Sequence, residues 1–506
     1  MASRNINLHL EGYHPSNLLK TTFDVVVIGG GPAANTAEAR LAKAGLDVAV
    51  VQHELYGGEC HFFGCVPSKA LLRPVEAFEV AKGIEGAREA VGESKIDVNA
   101  VFKRRDGIID LWDDKNWIVK SNGASGATLI RGFGSIAGER KVSIQPYGEN
   151  ERYILEARVA VVVATGSAHV VPSIPGIEDL EAGKELWINR DAVAANVVPE
   201  HLIVLGAGPV GCEMATFYSA VGAKVTIIAS SEQILPKVEL EAARIVQEAL
   251  EEKGVTIKTS ARATKIEKLG PNELNVELSN GEVVSGTVLL TATGRKSRTF
   301  DFGLDTVGIQ GEGKALETNS SLAVPLPGAK KSWLYAVGDV NGLTPTKHMG
   351  IYQARIASNA ILASARSSHL DIHVDIPKHF SITETPREDL TFSQVIFTEP
   401  NIGTVGLTLA SAQAAGLNVR VADSAFDIAG AMLYGNSQKA WARWVIEEGS
   451  ERLVGATFVS AEGAEFVNAA QVATSQGMTL RNMVHIVPPF PTRGEIWTGL
   501  IDAAGY

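Results

Sequence analysis

Cysteine is scarce, with three in 506 residues, and aromatic residues make up only 6%. So few cysteines exclude a secreted scaffold held by many disulfides. Any disulfide is expected to be catalytic, in a reducing cytoplasmic setting. No apolar run reaches the roughly 20 residues of a membrane span. Residues Met1 to Thr22 lack a signal-peptide core and read as an N-terminal arm. Surplus positive charge is also missing. The net charge is −11, which argues against nucleic acid or an anionic membrane as partner. Glycine, by contrast, is abundant at 50 residues and suits an α/β chain rich in tight phosphate-binding turns. Length predicts about three domains.

Two segments read as β-α-β nucleotide-binding units. Asp24 to Ile28 is a β-branched apolar run, as in a parallel strand covered on both faces. Gly29, Gly31 and Ala34 then open a helical pattern, and Leu46 to Val51 is the return strand ending near Gln52. The second unit runs from the strand His201–Leu205 through Gly206, Gly208 and Gly211 to the strand Ala223–Ile228. Glycines at these positions let backbone amides approach a pyrophosphate at a helix N-terminus. Two units predict two dinucleotides. Strand ends recur at Thr165-Gly166, at Gly294-Arg295 and at Gly338-Asp339. Past about residue 376, Gln394–Pro400, Ala440–Ile446 and Leu453–Val459 read as strands and Ala464–Gln476 as a helix.

Cys60 and Cys65 lie five residues apart, just after the first unit. On a regular helix that spacing rises roughly 7.5 Å, beyond the roughly 7 Å Cα separation a disulfide tolerates. A bridge here needs a distorted turn, which Gly64 and Pro67 could help supply, and should be easily reduced. Two inert buried thiols is the other reading of this spacing.

The stretch Gly57 to Lys69 matches G-G-x-C-x4-C-x-P-S-K at every fixed position. It resembles the active-site motif of the pyridine nucleotide-disulfide oxidoreductases, the family of dihydrolipoamide dehydrogenase, glutathione reductase and mercuric reductase. The resemblance runs from about Phe23 to about Trp497. It implies an α/β fold: two Rossmann-like dinucleotide-binding domains and a C-terminal α+β dimerisation domain. The expected division is an FAD-binding domain at 1–172 and 299–375, an NAD(P)-binding domain at 173–298 and an interface domain at 376–506. A homodimer is implied, in which the C-terminal end of one subunit completes the active site of the other.

The resemblance also implies roles. Electrons pass from a nicotinamide through FAD to a Cys60–Cys65 disulfide and on to a disulfide, dithiol or other small acceptor. Cys65 is the charge-transfer thiolate and Cys60 the interchange thiol. Lys69 lies by the flavin, paired with Glu213, and Gly58 borders the same site. Asp339 binds the FAD ribitol. Thr165-Gly166 and Gly294-Arg295 mark crossings between the two nucleotide domains. No metal is expected as a resident cofactor.

One departure is sharp. Thiol-reducing members carry H-P-T-x-x-E near the end, where the histidine moves a proton and the glutamate orients it. This chain reads Phe490-Pro491-Thr492-Arg493-Gly494-Glu495. Phe490 cannot move a proton, which leaves Glu495 without its usual partner. His485 is displaced by spacing. His61 reads first as a packing or polar-surface histidine, and with Phe490 as a weaker candidate for lining the substrate site. Phe62, Phe63 and Trp497 read as core. Mercuric reductase also lacks that histidine, but its C-terminal cysteine pair is absent here, and Cys212 reads as a small buried residue. An NAD(P)H:quinone or metal-ion reductase is therefore one alternative; a weakened flavoprotein acting as a redox sensor or binding subunit is another. In the second unit Ala229, Ser230 and Ser231 stand where an acid would select NAD. No arginine lies in that window, and Gly211 is more typical of NAD, yet the balance favours NADPH over NADH.

Overall fold

The computed structural model describes residues 12–116, 125–329, 331–367, 383–385, 392–425, 428–433 and 440–506. The arm expected before Thr22 and the boundary near residue 376 fall wholly or partly outside them.

Strand β1 (Thr22–Ile28) is buried along nearly its whole length. It pairs in parallel with β2 (Val48–Gln52) on one side. On the other lies the C-terminal half of a long strand, Tyr153–Val163. Helix α1 (Pro32–Lys43) covers this sheet. It starts at Pro32, because proline is preorganised for the first helical position. Ala34, Ala37 and Leu41 turn inward on one face of the helix. The strand Leu334–Ala336 extends the sheet beside Val161–Val163, bringing the Gly338-Asp339 turn to the same edge as the first glycine turn.

The second unit forms a five-stranded parallel sheet in the order Thr256–Lys258, Lys224–Ile228, His201–Leu205, Val288–Thr291 and Leu186–Trp187. Between the two units runs an antiparallel ribbon of Ser167–His169 with Arg295–Ser297. The C-terminal part is a five-stranded antiparallel sheet ordered Ser393–Ile396, Asn401–Gly406, Leu453–Ser460, Trp441–Glu447 and Val419–Ala425. Its core packs Trp444, Phe458, Phe466 and Trp497.

Two expected elements are shorter. The strand read as Gln394–Pro400 ends at Ile396, because the Phe397 amide leaves the sheet to donate to Glu213 Oε1 at 3.1 Å. The helix read as Ala464–Gln476 is a short 3-10 turn, Gly463–Phe466, followed by an α-helix, Val467–Ser475.

Candidate active site

The cysteine motif folds as two helices with a break between them. Helix α2 (Gly58–Phe62) carries Cys60, and α3 (Cys65–Gly83) begins with Cys65. Gly64 stands between them at φ −137° and ψ −105° and makes the turn that the five-residue spacing requires. Pro67 does not share that task. It lies in the first turn of α3, where proline starts a helix without losing a bond. The Ser68 hydroxyl donates to the Gly64 carbonyl at 2.8 Å and fixes the start of α3.

Both cysteines are free thiols, and their sulfurs approach to 2.6 Å, with the Cys60 thiol donating to Cys65 Sγ. That hydrogen bond is the chief reason the Cys65 thiol is drawn down to about 7. Burial opposes the shift, while the Lys69 and Lys347 charges and the amide of Cys65 itself support it. Cys60, which holds the proton, is pushed up by the same bond and by burial. Both shifts favour the thiolate on Cys65, the residue at a helix N-terminus. Lys347 opens the helix Lys347–Ser367 and was not singled out from the sequence, since no motif joins it to the cysteines.

Lys69 Nζ donates to both oxygens of Glu213, at 2.9 and 2.7 Å, and lies 4.7 Å from the centre of the Phe397 ring. Glu213 is 7% exposed on the helix Pro209–Ala220, so the pair joins the cysteine helix to the second nucleotide unit. Cys212 beside it is fully buried, as its sequence context suggested.

The residues fit two dinucleotides. In the second unit a Cβ on Gly206 would meet the Ala292 carbonyl oxygen at 2.5 Å, so only glycine fits this turn. Gly208, which caps the helix, has open space where its Cβ would be, and Gly211 packs against the Gly206 carbonyl. These are the turn, approach and packing roles of a pyrophosphate loop. In the first unit Gly29 packs against Ala164 and Gly31 caps α1 with open space before it. Ala34 fills the packing position, fully buried. Gly58, at φ +65°, packs against Gly31, where a Cβ would stand 2.9 Å from the Gly31 Cα. Gln52 is buried beside this loop and donates to the Leu55 carbonyl at 3.0 Å. Asp339 Oδ2 accepts from the Ser167 hydroxyl at 2.6 Å.

The crossing residues are tied to one another. Thr165 Oγ1 donates to the Arg298 carbonyl, and the Arg298 amide donates to the Gly166 carbonyl. Gly294 takes φ +124°. Arg295 donates to the Ser167 hydroxyl and carbonyl at 2.7 and 2.6 Å, so in this structure its guanidinium serves the crossing. Ser230 is exposed at the end of the strand Lys224–Ile228, whereas the Ser231 hydroxyl donates to the Gln233 carbonyl at 2.6 Å.

The C-terminal motif lies on the antiparallel domain. Phe490 is 74% exposed. Glu495, which lacks its usual histidine partner, accepts at Oε2 from the Gly430 amide at 3.0 Å. His61 is half-buried, edge-on to Phe62 at 4.6 Å, in the packing role first assigned to it. Phe62, Phe63 and Trp497 are all core.

Residues 23–360 match the family profile described as pyridine nucleotide-disulphide oxidoreductase, and residues 392–500 match that family's dimerisation domain. The chain belongs to this family. A dihydrolipoyl dehydrogenase of Chlorobaculum tepidum is 30% identical over 95% of this chain and 96% of its own length. One from Thermus scotoductus is 28% identical over 96% of this chain and 97% of its own. Among solved structures, the HOCl-induced flavoprotein disulfide reductase RclA of Escherichia coli, as its Cu(II) complex, superposes with a TM-score of 0.79. It is 21% identical over 96% of this chain and 99% of its own. LpdA of Mycobacterium tuberculosis gives the same TM-score at 23% identity, over 96% of this chain and all of its own. The protein is thus an FAD-dependent oxidoreductase of disulfide chemistry that uses a nicotinamide cofactor. No helix among the described residues is long and apolar enough to cross a membrane.

Proposed function

We propose that this protein uses Cys60 and Cys65 as its redox pair and passes electrons from NADPH to a disulfide or another small acceptor, without a thiol-activating histidine. The observation that carries this reading is the thiol pair itself, 2.6 Å apart at a helix break. FAD, when bound, would supply the two-electron chemistry that links a nicotinamide to the disulfide.

The chain's own residues supply the rest. Gly29, Gly31, Gly58, Gln52, Thr165, Gly166, Gly338 and Asp339 would hold FAD; Gly206, Gly208, Gly211, Ser230, Gly294 and Arg295 would hold the nicotinamide nucleotide. Lys69, oriented by Glu213, favours the Cys65 thiolate. Cys60, retaining its proton on reduction, is the thiol that faces the acceptor. We place the domain limits at 172, 298 and 375, by the crossing ribbon and the family's domain order. NADPH is favoured because no carboxylate stands at Ala229, Ser230 or Ser231 to repel a 2′-phosphate. Backbone pairing of Ala261 with Ala229 and of Ser260 with Ser231 also draws exposed Arg262 alongside.

A homodimer is supported by the apolar side chains exposed on the C-terminal segment, Met432 at 75%, Leu433 at 61%, Val487 at 85% and Phe490 at 74%. A second reading, reduction of quinones, draws on the same Phe490, since an exposed aromatic ring suits an apolar acceptor that needs no proton from a histidine. An anaerobic titration with NADPH and NADH, with and without Cys60→Ser, tests the reading. A two-electron-reduced species with long-wavelength charge-transfer absorbance, formed at lower NADPH than NADH concentration, is the expected result. Direct bleaching of the flavin without that band would remove the cysteine pair from the pathway.

A further inference from the structure

Helix α2 has five residues, too few to hold its own shape in water. The path of the chain around Cys60 must therefore be fixed from outside. The structure shows what fixes it. Asn189 and Arg190 open the helix Asn189–Ala194 of the second nucleotide unit, far from the cysteines in sequence. Asn189 Nδ2 donates to the Phe63 carbonyl at 2.6 Å, at the end of α2. Arg190 donates through Nε to Glu59 Oε1 at 2.7 Å, and through Nη1 and Nη2 to the two oxygens of Glu54 at 3.0 and 2.5 Å. Its guanidinium also lies over the Phe63 ring, 4.1 Å from the centre. Arg298 joins from the domain crossing, with Nη2 3.0 Å from Glu59 Oε1.

Glu59 and Phe63 flank Cys60 on either side. Arg190 grips both, Asn189 adds a second hold on Phe63, and the Arg190 side chain is only 11% exposed. A lysine could not replace it, because one ammonium cannot bond two carboxylates in a plane and stack on a ring at once.

We propose that Asn189 and Arg190 are positioning residues of the redox pair: they hold α2 so that Cys60 Sγ stays within reach of Cys65 Sγ, and so stabilise the oxidised form. This inference rests on the reading of Cys60 and Cys65 as a redox couple. The step it affects is simple. One S–S bond forms from two S–H groups, and two protons and two electrons pass to an oxidant, here a cyclic disulfide that becomes a dithiol. Holding Cys60 in place raises its effective concentration at Cys65.

The test equilibrates wild type, Asn189→Ala, Arg190→Met and Arg190→Lys in buffers of oxidised and reduced dithiothreitol, followed by thiol counting. Arg190→Met is expected to lower the equilibrium constant for disulfide formation about tenfold, which raises the potential by about 30 mV. Arg190→Lys keeps the charge and loses the fork, and should shift nearly as far. Asn189→Ala, which leaves the ion pairs intact, should shift about threefold, and it keeps the test decisive should the Arg190 variants fold poorly. Unshifted equilibria in variants that retain flavin would overturn the clamp while leaving the redox pair intact. A wild-type protein that forms no Cys60–Cys65 disulfide at any ratio would instead sink the redox reading, and the clamp with it.

Discussion

Removing the Cys60 thiol should change the ionisation of Cys65 by a calculable amount. The Cys60 hydrogen bond is the largest cause holding Cys65 near 7, ahead of the Lys69 and Lys347 charges. In Cys60→Ala that bond is gone, while the burial that opposes ionisation stays. Cys65 should then rise towards the ordinary thiol value of about 8.5, with the Lys69 and Lys347 charges still holding it down. At pH 7 the wild-type thiol is about half ionised and a thiol at about 8.5 about 3%, so the loss of thiolate is up to roughly sixteenfold. The readout is the long-wavelength charge-transfer absorbance of the holoenzyme with reduced cysteines and oxidised flavin, followed against pH. Wild type should be half-developed near pH 7, and Cys60→Ala up to about 1.5 pH units higher. Cys60→Ser is the control, because its hydroxyl still donates, and its midpoint should stay closer to that of wild type. Lys69→Met should also move the midpoint upward, by less than Cys60→Ala. An unchanged midpoint in Cys60→Ala would refute the account, since the hydrogen bond would then not be what places the thiolate on Cys65.

Other outcomes follow from the same structure. Phe490→His restores the base of the family motif and should raise turnover with dithiol or disulfide substrates by about a hundredfold, with a new dependence on pH near 6.5; a flat response would mean that this position does not reach the acceptor. Gly58→Ala puts a methyl group against Gly31 at a positive φ, so the purified protein should retain FAD at least tenfold more weakly, as measured by flavin release on dialysis. His169 is drawn down to about 4, chiefly by burial, with Arg295, Arg190 and Arg298 adding and Glu59 opposing. It stays neutral in the folded chain while the unfolded chain protonates near 6.5, so stability is expected to fall as pH drops from about 6.5 towards 4. Urea unfolding at pH 7 and 5 should show this loss in wild type and a smaller one in His169→Gln, and equal losses would remove His169 as the cause.

Much of the site was legible because its residues are close in sequence and chemically unusual. Gly29 and Gly206 announce their turns directly, since no side chain could share the space or the backbone angle, and Gly31 and Gly208 leave the approach to their helices open. Cys60, Cys65 and Lys69 stand on one continuous stretch. Glu213 could be matched to Lys69 only through the family pattern, and the two meet at 2.7 Å. The clamp was not legible. Asn189 and Arg190 have no motif, and their partners Glu54, Glu59 and Phe63 look like ordinary surface or core residues until the domains pack. Lys347 escaped for the same reason.

The sequence by itself determined the two nucleotide units, the cysteine pair and the loss of the C-terminal base, because each depends on local spacing and residue type. Only the tertiary structure decided that Lys347 acts on Cys65, what Glu495 does and how the second nucleotide unit grips the cysteine helix. Those depend on charges and donors brought together from distant segments: Lys347 against Cys65, the Gly430 amide against Glu495, Arg190 against Glu54 and Glu59. Hydrogen bonds and screened charges act over a few ångströms of space, and separation along the chain does not reveal that distance.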